Sequence, residues 1–247
     1  MLIPLEECRS RIFAHEKVAC TVSGGKDSMA VAMYLEPFWK QITFLWSNPG
    51  DPLPETAELM DRFRKTVPNF VEVTSNVKQD HVDNGYPSDV VPENMTMFQT
   101  CITGRVPEFY IQHRADCCVR NFYTPLQNRL MAGGYTLIIR GEKEADYYRN
   151  RYVYDGWVDP NGVEYLLPAW KASTEEVLEY LQAYPQFLHP VYEYEDAGGI
   201  DCMSCTAWWE EISMPYLRKY HPEVAKRRTS MINEIKKNTI ALLEVFD

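Results

Sequence analysis

The 247-residue sequence contains no apolar run that approaches the roughly 18 residues of a membrane-spanning helix. It also shows no fixed-period repeat and no low-complexity stretch, which argues against solenoid and fibrous architectures. Residues 1–8 lack a basic segment followed by an apolar one, so we expect no signal peptide. These absences predict a cytoplasmic protein without a membrane partner.

Positive charge is scarce as well. Lysine and arginine number 25 against 35 aspartates and glutamates, which leaves a formal net charge of −10. A nucleic-acid-binding surface normally needs the opposite balance, because basic side chains on phosphates supply much of its affinity. A local patch at Arg140, Lys143, Arg149 and Arg151 keeps a nucleic-acid partner possible, but the net charge does not support one.

Cysteines number seven, an odd count, and two of them are adjacent. In a chain without an export signal the expected state is a reduced thiol, and some of these thiols could bind metal. We expect Cys8 and Cys20 in the core, whereas Cys101 lies in an irregular stretch and is the one spare thiol.

Hydrophobic patterning indicates an α/β protein. Apolar residues make up 45% of the chain, and its length suits one α/β domain with elaborations or a domain plus a small cap. Strands that alternate with helices imply a mostly parallel sheet with helices on both faces. The predicted strands are 17–22, 42–47, 70–74 and 135–140, with a hairpin within 152–167. The predicted helices are 5–16, 26–35, 54–66, 119–132, 173–183, 207–220 and 222–243.

Two further predictions concern a long internal segment and the division of the chain into domains. The stretch 76–104 has little periodicity and is expected to be an irregular loop that is functional or mobile. We place a nucleotide-binding α/β domain at 1–170 and a mainly helical C-terminal part, which carries a C-x-x-C motif, at 171–247.

The strongest local motif is the loop Ser23–Ser28, which joins the first predicted strand to a helix. Gly24 and Gly25 permit backbone conformations closed to other residues and a close approach to a ligand. The following helix N-terminus favours anions, and Lys26 adds a charge. The alternative is an ordinary turn with a solvated Lys-Asp pair. We favour a phosphate site, with Ser23 and Ser28 as hydroxyl donors and Asp27 as a Mg²⁺ ligand or loop-orienting group.

Four cysteines form a candidate metal site. Cys202 and Cys205 are spaced so that both thiolates can reach one centre, and Cys117 and Cys118 supply two more. Four thiolates suit Zn²⁺ or a [4Fe–4S] cluster, and the irons of a cluster accept adjacent ligands more readily than a single ion does. Free thiols, or a redox dithiol in the C-x-x-C, are the alternatives.

The loop sequence S-G-G-K-D-S resembles the PP-loop of the N-type ATP pyrophosphatases, which holds the β- and γ-phosphates of ATP while the α-phosphate is attacked. Further segments resemble, in order, motifs of the phosphoadenosine-phosphosulfate (PAPS) reductase branch. They are S-N-P-G at 47–50 with L-P-E-T at 53–56, C-C at 117–118 with P-L at 125–126, I-R-G-E-K at 139–143, L-P-A-W at 167–170, H-P-V-Y at 189–192 and D-C-M-S-C-T at 201–206.

This resemblance implies an adenine nucleotide alpha hydrolase-like fold and a set of site residues. Lys26, Asp27 and Ser28 would be catalytic. The residues that would bind the nucleotide or its acceptor are Ser23, Gly24, Gly25, Lys26, Asp27, Ser28, Ser47, Glu55, Arg140, Gly141 and Lys143. By similarity to assimilatory APS reductases, a [4Fe–4S] cluster would be held by Cys117, Cys118, Cys202 and Cys205.

The sequence departs from the reductases in three places. No cysteine follows Cys205, so the thiolate that attacks sulfur in the reductase tail is missing. Asn121 and Phe122 replace an Arg-Lys pair near the tandem cysteines. The phosphate loop is complete, as expected when a triphosphate must be held, whereas the reductases have a degenerate loop.

Three functions follow from these features. The leading hypothesis is an ATP-dependent adenylyl-transferring enzyme that makes AMP and pyrophosphate, with Mg²⁺, in sulfur chemistry. The alternatives are an APS or PAPS reductase that borrows a thiol from Cys101 or from a partner, and a silent nucleotide-binding module. The acceptor and sulfur donor are unknown, a homodimer is possible, and His81 and Asp89 in the segment 76–104 are either substrate groups or surface residues.

Overall fold

The computed structural model describes residues 2–107, 109–145, 153–193, 202–209 and 214–244. The chain forms two compact units. We call residues 1–47, 54–73 and 126–190 the sheet unit, and residues 48–53, 74–125 and 191–247 the cysteine unit. This partition differs from the predicted division at residue 170. The chain passes between the units five times, so no single boundary in the sequence could mark it.

The strands, numbered in chain order, are β1 (Val18–Val22), β2 (Ile42–Asn48), β3 (Phe70–Thr74), β4 (Tyr86–Ser88), β5 (Ile111–His113), β6 (Leu137–Ile139) and β7 (Glu164–Leu166). The helices are α1 (Leu5–Ala14), α2 (Lys26–Tyr34), α3 (Pro54–Thr66), α4 (Val77–Asn84), α5 (Met97–Thr103), α6 (Arg114–Cys118), α7 (Thr124–Gly133), α8 (Thr174–Leu181), α9 (Met214–Tyr220) and α10 (Pro222–Leu243). Among the described residues, no helix is both long enough and apolar enough to cross a membrane.

The sheet unit is built on five strands in the order β3-β2-β1-β6-β7. Strand β1 lies at the centre and pairs in parallel with β2 and with β6, and β7 pairs in parallel with β6. Val18, Cys20 and Val22 belong to one buried cluster, whereas Ala19 belongs to another. Because alternate residues of a strand point to opposite faces, this pattern shows that both faces of β1 are covered. The predicted α/β class with a mostly parallel sheet is confirmed.

The larger core cluster lies under the helices of the sheet unit. Its aromatic centre is formed by Phe44 of β2 and Phe63 of α3, which meet edge to face with ring centroids 5.1 Å apart. Helix α8 begins with the predicted capping box, since Ser173 accepts from the Glu176 backbone and the Glu176 carboxylate accepts from the Ser173 backbone. Val177 and Leu181 of this helix are buried in the same cluster.

In the cysteine unit, the expectation of an irregular segment at 76–104 is wrong. This segment contains α4, β4 and α5, and β4 pairs in parallel with β5. Local signals set the helices: the Asn76 and Thr96 side chains cap their N-termini, and Gly85 with φ +89° follows the end of α4. The elements are short, so their periodicity is too brief to detect in the sequence.

Two predicted helix boundaries in this unit need correction. The helix expected from 119 begins at Arg114, where the His113 side chain accepts from the Ala115 backbone, and continues through a π-helical turn at Val119–Tyr123. The helix expected from 207 does not include residues 207–209, and α9 begins at Met214. Trp208 has φ +63°, a left-handed conformation that an α-helix cannot contain.

Candidate functional site

The phosphate loop occupies the turn from β1 into α2 in the sheet unit. Gly24 has φ +83°, which favours glycine, and a Cβ there would lie 3.4 Å from Thr56 Cγ2. The loop is closed by its own serines: the Ser23 backbone donates to Ser28 Oγ at 3.2 Å, and Ser28 Oγ donates to the Gly25 carbonyl at 2.9 Å. These two hydrogen bonds hold the turn in its conformation.

Two ammonium groups flank one carboxylate in this loop. Lys26 Nζ donates to Asp27 Oδ2 at 2.9 Å, and Lys143 Nζ lies 3.0 Å from Asp27 Oδ1, an ion pair without hydrogen-bond geometry. Lys143 is only 7% exposed, and its Nζ also donates to Thr174 Oγ1 at 2.9 Å. Two cations and one anion leave a net positive charge beside the glycine turn, which is the electrostatic setting that phosphates require.

The segment after β6 packs directly on the loop. A Cβ at Gly141 would lie 2.5 Å from Ser28 N and 2.7 Å from Asp27 C, so the absence of a side chain is what lets the two segments meet. This proximity follows from the strand order, since β1 and β6 are neighbours and their carboxyl ends share one edge of the sheet. Arg140 forms an ion pair with Glu142 in the same segment.

The structure thus brings the loop Ser23–Ser28 together with Gly141 and Lys143. Of the other predicted nucleotide-site residues, Ser47 lies at the carboxyl end of β2 and Glu55 in the first turn of α3.

Sequence reasoning missed the support beneath Gly24. Thr56 and His189 are both buried, and Thr56 Oγ1 lies 3.0 Å from His189 Nε2 within hydrogen-bonding distance. The H-P-V-Y motif at 189–192 enters the sequence analysis only through the family resemblance, and nothing in the sequence indicates that its histidine contacts α3.

Three of the four predicted metal ligands meet in the cysteine unit. Cys117 and Cys202 are buried with Val77 in one apolar cluster, against which Cys205 packs. Cys118 follows in the same helical turn and is half-buried. A π-helical turn comes directly after the tandem cysteines, and such turns often occur at functional positions.

The turn that carries the C-x-x-C motif is held by Asp51. The Met203 backbone donates to the Asp51 carbonyl at 2.9 Å, and the Ser204 backbone donates to the Asp51 carboxylate at 2.7 Å. Asp51 is itself buried and forms an ion pair with Lys78 at 2.9 Å. The two motif cysteines therefore sit on a fixed backbone.

The environment of Cys117 disfavours a free thiolate. Burial raises the pKa of this thiol, and the charges of Asp80, Cys118 and Cys205 raise it further. His81 Nε2 lies 3.6 Å from Cys117 Sγ, and burial lowers the pKa of His81, which keeps the imidazole neutral. Asn121 donates to the Cys117 carbonyl at 3.0 Å and contacts its sulfur at 3.8 Å. A bound metal would supply the positive charge that thiolates need here.

Arg228 of α10 is a second residue that the sequence did not single out. It is 3% exposed, its Nε donates to the Cys205 carbonyl, and its Nη2 donates to the Cys202 carbonyl at 3.4 Å. Burial lowers its pKa, although the nearby Cys205, Cys202 and Asp51 charges oppose that shift. Its Nη1 is buried and has no hydrogen-bond partner in the described part of the chain, and neither has Ser204 Oγ.

The arrangement of the cysteines and of the donors around them bears on which metal centre they could hold. Within the described residues, no group of three His, Cys, Asp or Glu side chains is arranged to hold a single metal ion. The donor set consists of four cysteines, with apolar neighbours and two unsatisfied donors, Arg228 Nη1 and Ser204 Oγ, at the C-x-x-C turn. The ligands of a [4Fe–4S] cluster bind different irons, and cluster sulfurs accept hydrogen bonds. Three of the four cysteines come together, and the chemistry of the donor set suits such a cluster.

The remaining predicted groups lie in several different environments. Cys8 and Cys20 are buried in the core of the sheet unit, and Cys101 is exposed on α5. His81 lies beside Cys117 and not on the surface. Asp89 accepts from the Trp208 and Trp209 backbones at 3.0 and 2.7 Å, so it fixes the backbone that follows the C-x-x-C motif. Of the predicted basic patch, Arg149 and Arg151 lie outside the described residues.

Comparison with known proteins shows what this architecture resembles. No family model matches the sequence, and no curated protein matches it. Among solved structures, PAPS reductase from Candida auris, in its phosphate complex, is similar with a TM-score of 0.56 and 12% identity over 78% of this chain and 84% of that one. The U34-tRNA thiolase NcsA from Methanococcus maripaludis, with its [4Fe-4S] cluster, has a TM-score of 0.47 and 17% identity over 94% of this chain and 78% of that one. The chain has the fold of the PAPS reductases, as its motifs predicted.

Proposed function

We propose that the chain is a PP-loop enzyme that binds ATP on Ser23–Ser28 and activates an acceptor at the α-phosphate, releasing pyrophosphate. The observation that supports this proposal is the charge arrangement in the loop, where Lys26 and Lys143 flank Asp27 beside a left-handed glycine. Backbone donors and two cations in so small a space suit the clustered negative charges of a polyphosphate.

The residues have separate roles in this reaction. Ser23, Gly24, Gly25 and Ser28 hold the β- and γ-phosphates, and Lys26 neutralises the charge that develops as pyrophosphate leaves. Asp27 can bind Mg²⁺ by exchanging an ammonium partner for the ion, which frees Lys26 to turn toward the phosphates.

The proposed group transfer takes place at the α-phosphorus of ATP. A nucleophilic oxygen of the acceptor forms a bond to the α-phosphorus, the bond from that phosphorus to the bridging oxygen breaks, and pyrophosphate leaves with the electron pair. A sulfur donor then displaces AMP from the acceptor. Ser47, Glu55, Arg140, Gly141 and Lys143 line the nucleotide or acceptor site in this proposal.

The products of ATP turnover test the proposal. Protein purified without oxygen is incubated with α-labelled ATP, Mg²⁺, sulfide and size-fractionated cell extract as a source of acceptor. We expect AMP and pyrophosphate, lost in Lys26→Ala and kept in Lys65→Ala, whose lysine pairs with Asp61 on the surface of α3. ADP and phosphate as products, or equal turnover in Lys26→Ala, would contradict it. Tight ATP binding without turnover would favour the silent nucleotide-binding module.

Cys101 supports a second candidate, a sulfonucleotide reductase. Its thiol is exposed on α5, where it could attack the sulfur of APS or PAPS. That step forms a bond between the cysteine sulfur and the sulfate sulfur and expels the nucleotide, and thioredoxin then reduces the intermediate and releases sulfite. Sulfite release that depends on thioredoxin and is lost in Cys101→Ser would establish this function in place of the first.

For the cysteine unit we propose a [4Fe–4S] cluster on Cys117, Cys118, Cys202 and Cys205. Such a cluster supplies one-electron redox chemistry when bound. Anaerobically purified protein should contain about four irons per chain and absorb broadly in the visible range. Cys202→Ser should lose iron and Cys101→Ser should keep it. Colourless protein that contains one zinc would contradict the cluster in favour of the zinc alternative.

The homodimer, the nucleic-acid partner and the cytoplasmic location stay predictions.

A further inference from the structure

Arg228 is a buried cation that is hydrogen-bonded to the C-x-x-C turn. Two of its nitrogens donate to the carbonyls of the two motif cysteines, and the third, Nη1, is buried without a partner among the described residues. We propose that Arg228 is the internal counter-ion of the metal centre, that Nη1 donates a hydrogen bond to the anionic core held by the four cysteines, and that this raises the reduction potential of that core. The inference rests on the [4Fe–4S] cluster proposed above.

The charges around the centre single out this arginine. Asp51 forms an ion pair with Lys78, and Asp80 forms one with Arg120, so the opposite charges within each pair cancel. The charge of Asp51 also acts on Arg228, but no carboxylate in the described residues forms an ion pair with this guanidinium, whose hydrogen bonds go to neutral carbonyls. A buried charge without a directly paired counter-charge is costly, so an anion is expected close to this guanidinium.

Neutral thiols cannot be that anion. The peptide carbonyls that Arg228 contacts carry no net charge either. A cluster with four thiolate ligands is anionic, and its sulfurs accept hydrogen bonds from nearby N–H groups. A cluster held by the four cysteines would thus provide a hydrogen-bond acceptor for Arg228 Nη1 and a negative charge beside its guanidinium.

The geometry favours a directed hydrogen bond. The guanidinium is planar and rigid, so the two bonds from Nε and Nη2 to the carbonyls fix the plane in which Nη1 lies. Ser204 Oγ, in the same turn, is a second buried donor without a partner in the described chain. Hydrogen bonds and charges near the sulfurs are among the factors that set cluster potentials.

The expected effect on reduction has a definite sign. Reduction adds one negative charge to the centre, and a cation in contact stabilises the reduced form more than the oxidised one. Arg228→Gln should therefore lower the equilibrium constant for one-electron reduction at least about tenfold, which corresponds to a potential about 59 mV more negative. Arg228→Lys keeps the charge and should stay within a few-fold of the unchanged protein.

The experiment is a redox titration of the full chain, purified without oxygen and followed by visible absorbance and EPR. The matched control is Arg227→Gln, which removes the same charge from an exposed position one residue away on α10 and should leave the potential unchanged. A loaded Arg228→Gln protein with an unshifted potential would overturn the inference. So would an equal shift in Arg227→Gln, because the effect would then be one of net charge alone.

A second measurement needs no variant, in case Arg228→Gln does not fold. Pulsed EPR of the reduced centre in protein labelled with ¹⁵N-arginine should show a nitrogen coupling, because a hydrogen-bonded N–H carries some of the electron's spin. Absence of that coupling in iron-loaded protein overturns the role of Arg228 and leaves the cluster standing. Absence of iron from the purified protein overturns both proposals together.

Discussion

Gly141→Ala should damage the phosphate loop without touching any charged group. A Cβ at this position would lie 2.5 Å from Ser28 N, 2.6 Å from Ser28 Cα and 2.7 Å from Asp27 C. All three atoms belong to the loop backbone, which cannot rotate away as a flexible side chain could. Because an ordinary contact begins at 3.4 Å, the loop or the segment after β6 must move by about 0.9 Å.

Two magnitudes follow from this displacement. Forcing an extra carbon into a packed site costs about 1–3 kcal/mol of unfolding free energy. A shift of about 1 Å in a catalytic group can lower turnover roughly a hundredfold. We expect ATP affinity to fall about tenfold or more, because the displaced loop backbone no longer matches the positions of the phosphates. The matched control is Gly156→Ala, where φ is +80° and nothing lies within 4 Å of the new carbon. It should cost about 1–2 kcal/mol of stability from its left-handed backbone and leave ATP binding unchanged.

Urea denaturation measures the stability of both variants, and calorimetric titration measures ATP affinity. Gly141→Ala protein that has the same ATP affinity and the same free energy of unfolding as the unchanged protein would contradict this prediction. That outcome would mean that the segment 140–143 does not support the phosphate loop.

Three smaller predictions concern the core and the thiols. Burial raises the pKa of Cys8 from 9.0 to about 12, so the unfolded chain loses this proton first and the free energy of unfolding falls from pH 9 to 12, by at most about 1.4 kcal/mol per pH unit. Cys8→Ala should flatten this pH slope in urea denaturation, and an unchanged slope would count against burial as the cause. Thr56→Val keeps the methyl group next to Gly24 but removes the hydroxyl that meets His189, and should cost about 1–3 kcal/mol in the same assay; no loss would mean that the hydrogen bond contributes nothing. A thiol reagent should label Cys101 first in the native protein, and equally fast labelling of Cys20 would contradict its burial.

The elements that were predicted well have strong local signals. Helix α3 and strand β3 match their predicted bounds, since prolines, breaker residues and a clear apolar period mark them. The capping box of α8 involves neighbours in the chain, so it could be identified without tertiary information. The segment 76–104 could not, because its short elements take their stability from contacts such as the pairing of β4 with β5.

In the candidate sites as well, features formed by neighbours in the chain could be predicted, whereas features formed by distant segments could not. The phosphate loop is contiguous, so its residue types and spacing are visible in the sequence. Gly141 and Lys143 were placed there only by resemblance, since more than 100 residues separate them from the loop. The contact of Thr56 with His189 and that of Arg228 with the cysteine carbonyls link distant segments without any local pattern. Trp208 has a left-handed backbone and donates its N–H group to Asp89, a distant contact that no helical periodicity could reveal.

The central claim is that the turn after β1 binds the phosphates of ATP. Its most direct test is a calorimetric titration of ATP with Mg²⁺ into the unchanged protein, Lys26→Met and Lys65→Met. Each of these lysines pairs with a carboxylate on its own helix, but only Lys26 belongs to the loop. The account predicts that Lys26→Met binds ATP at least about tenfold more weakly, as expected for a lost charge-assisted contact, while Lys65→Met is unaffected. Equal ATP affinity in all three proteins would contradict it.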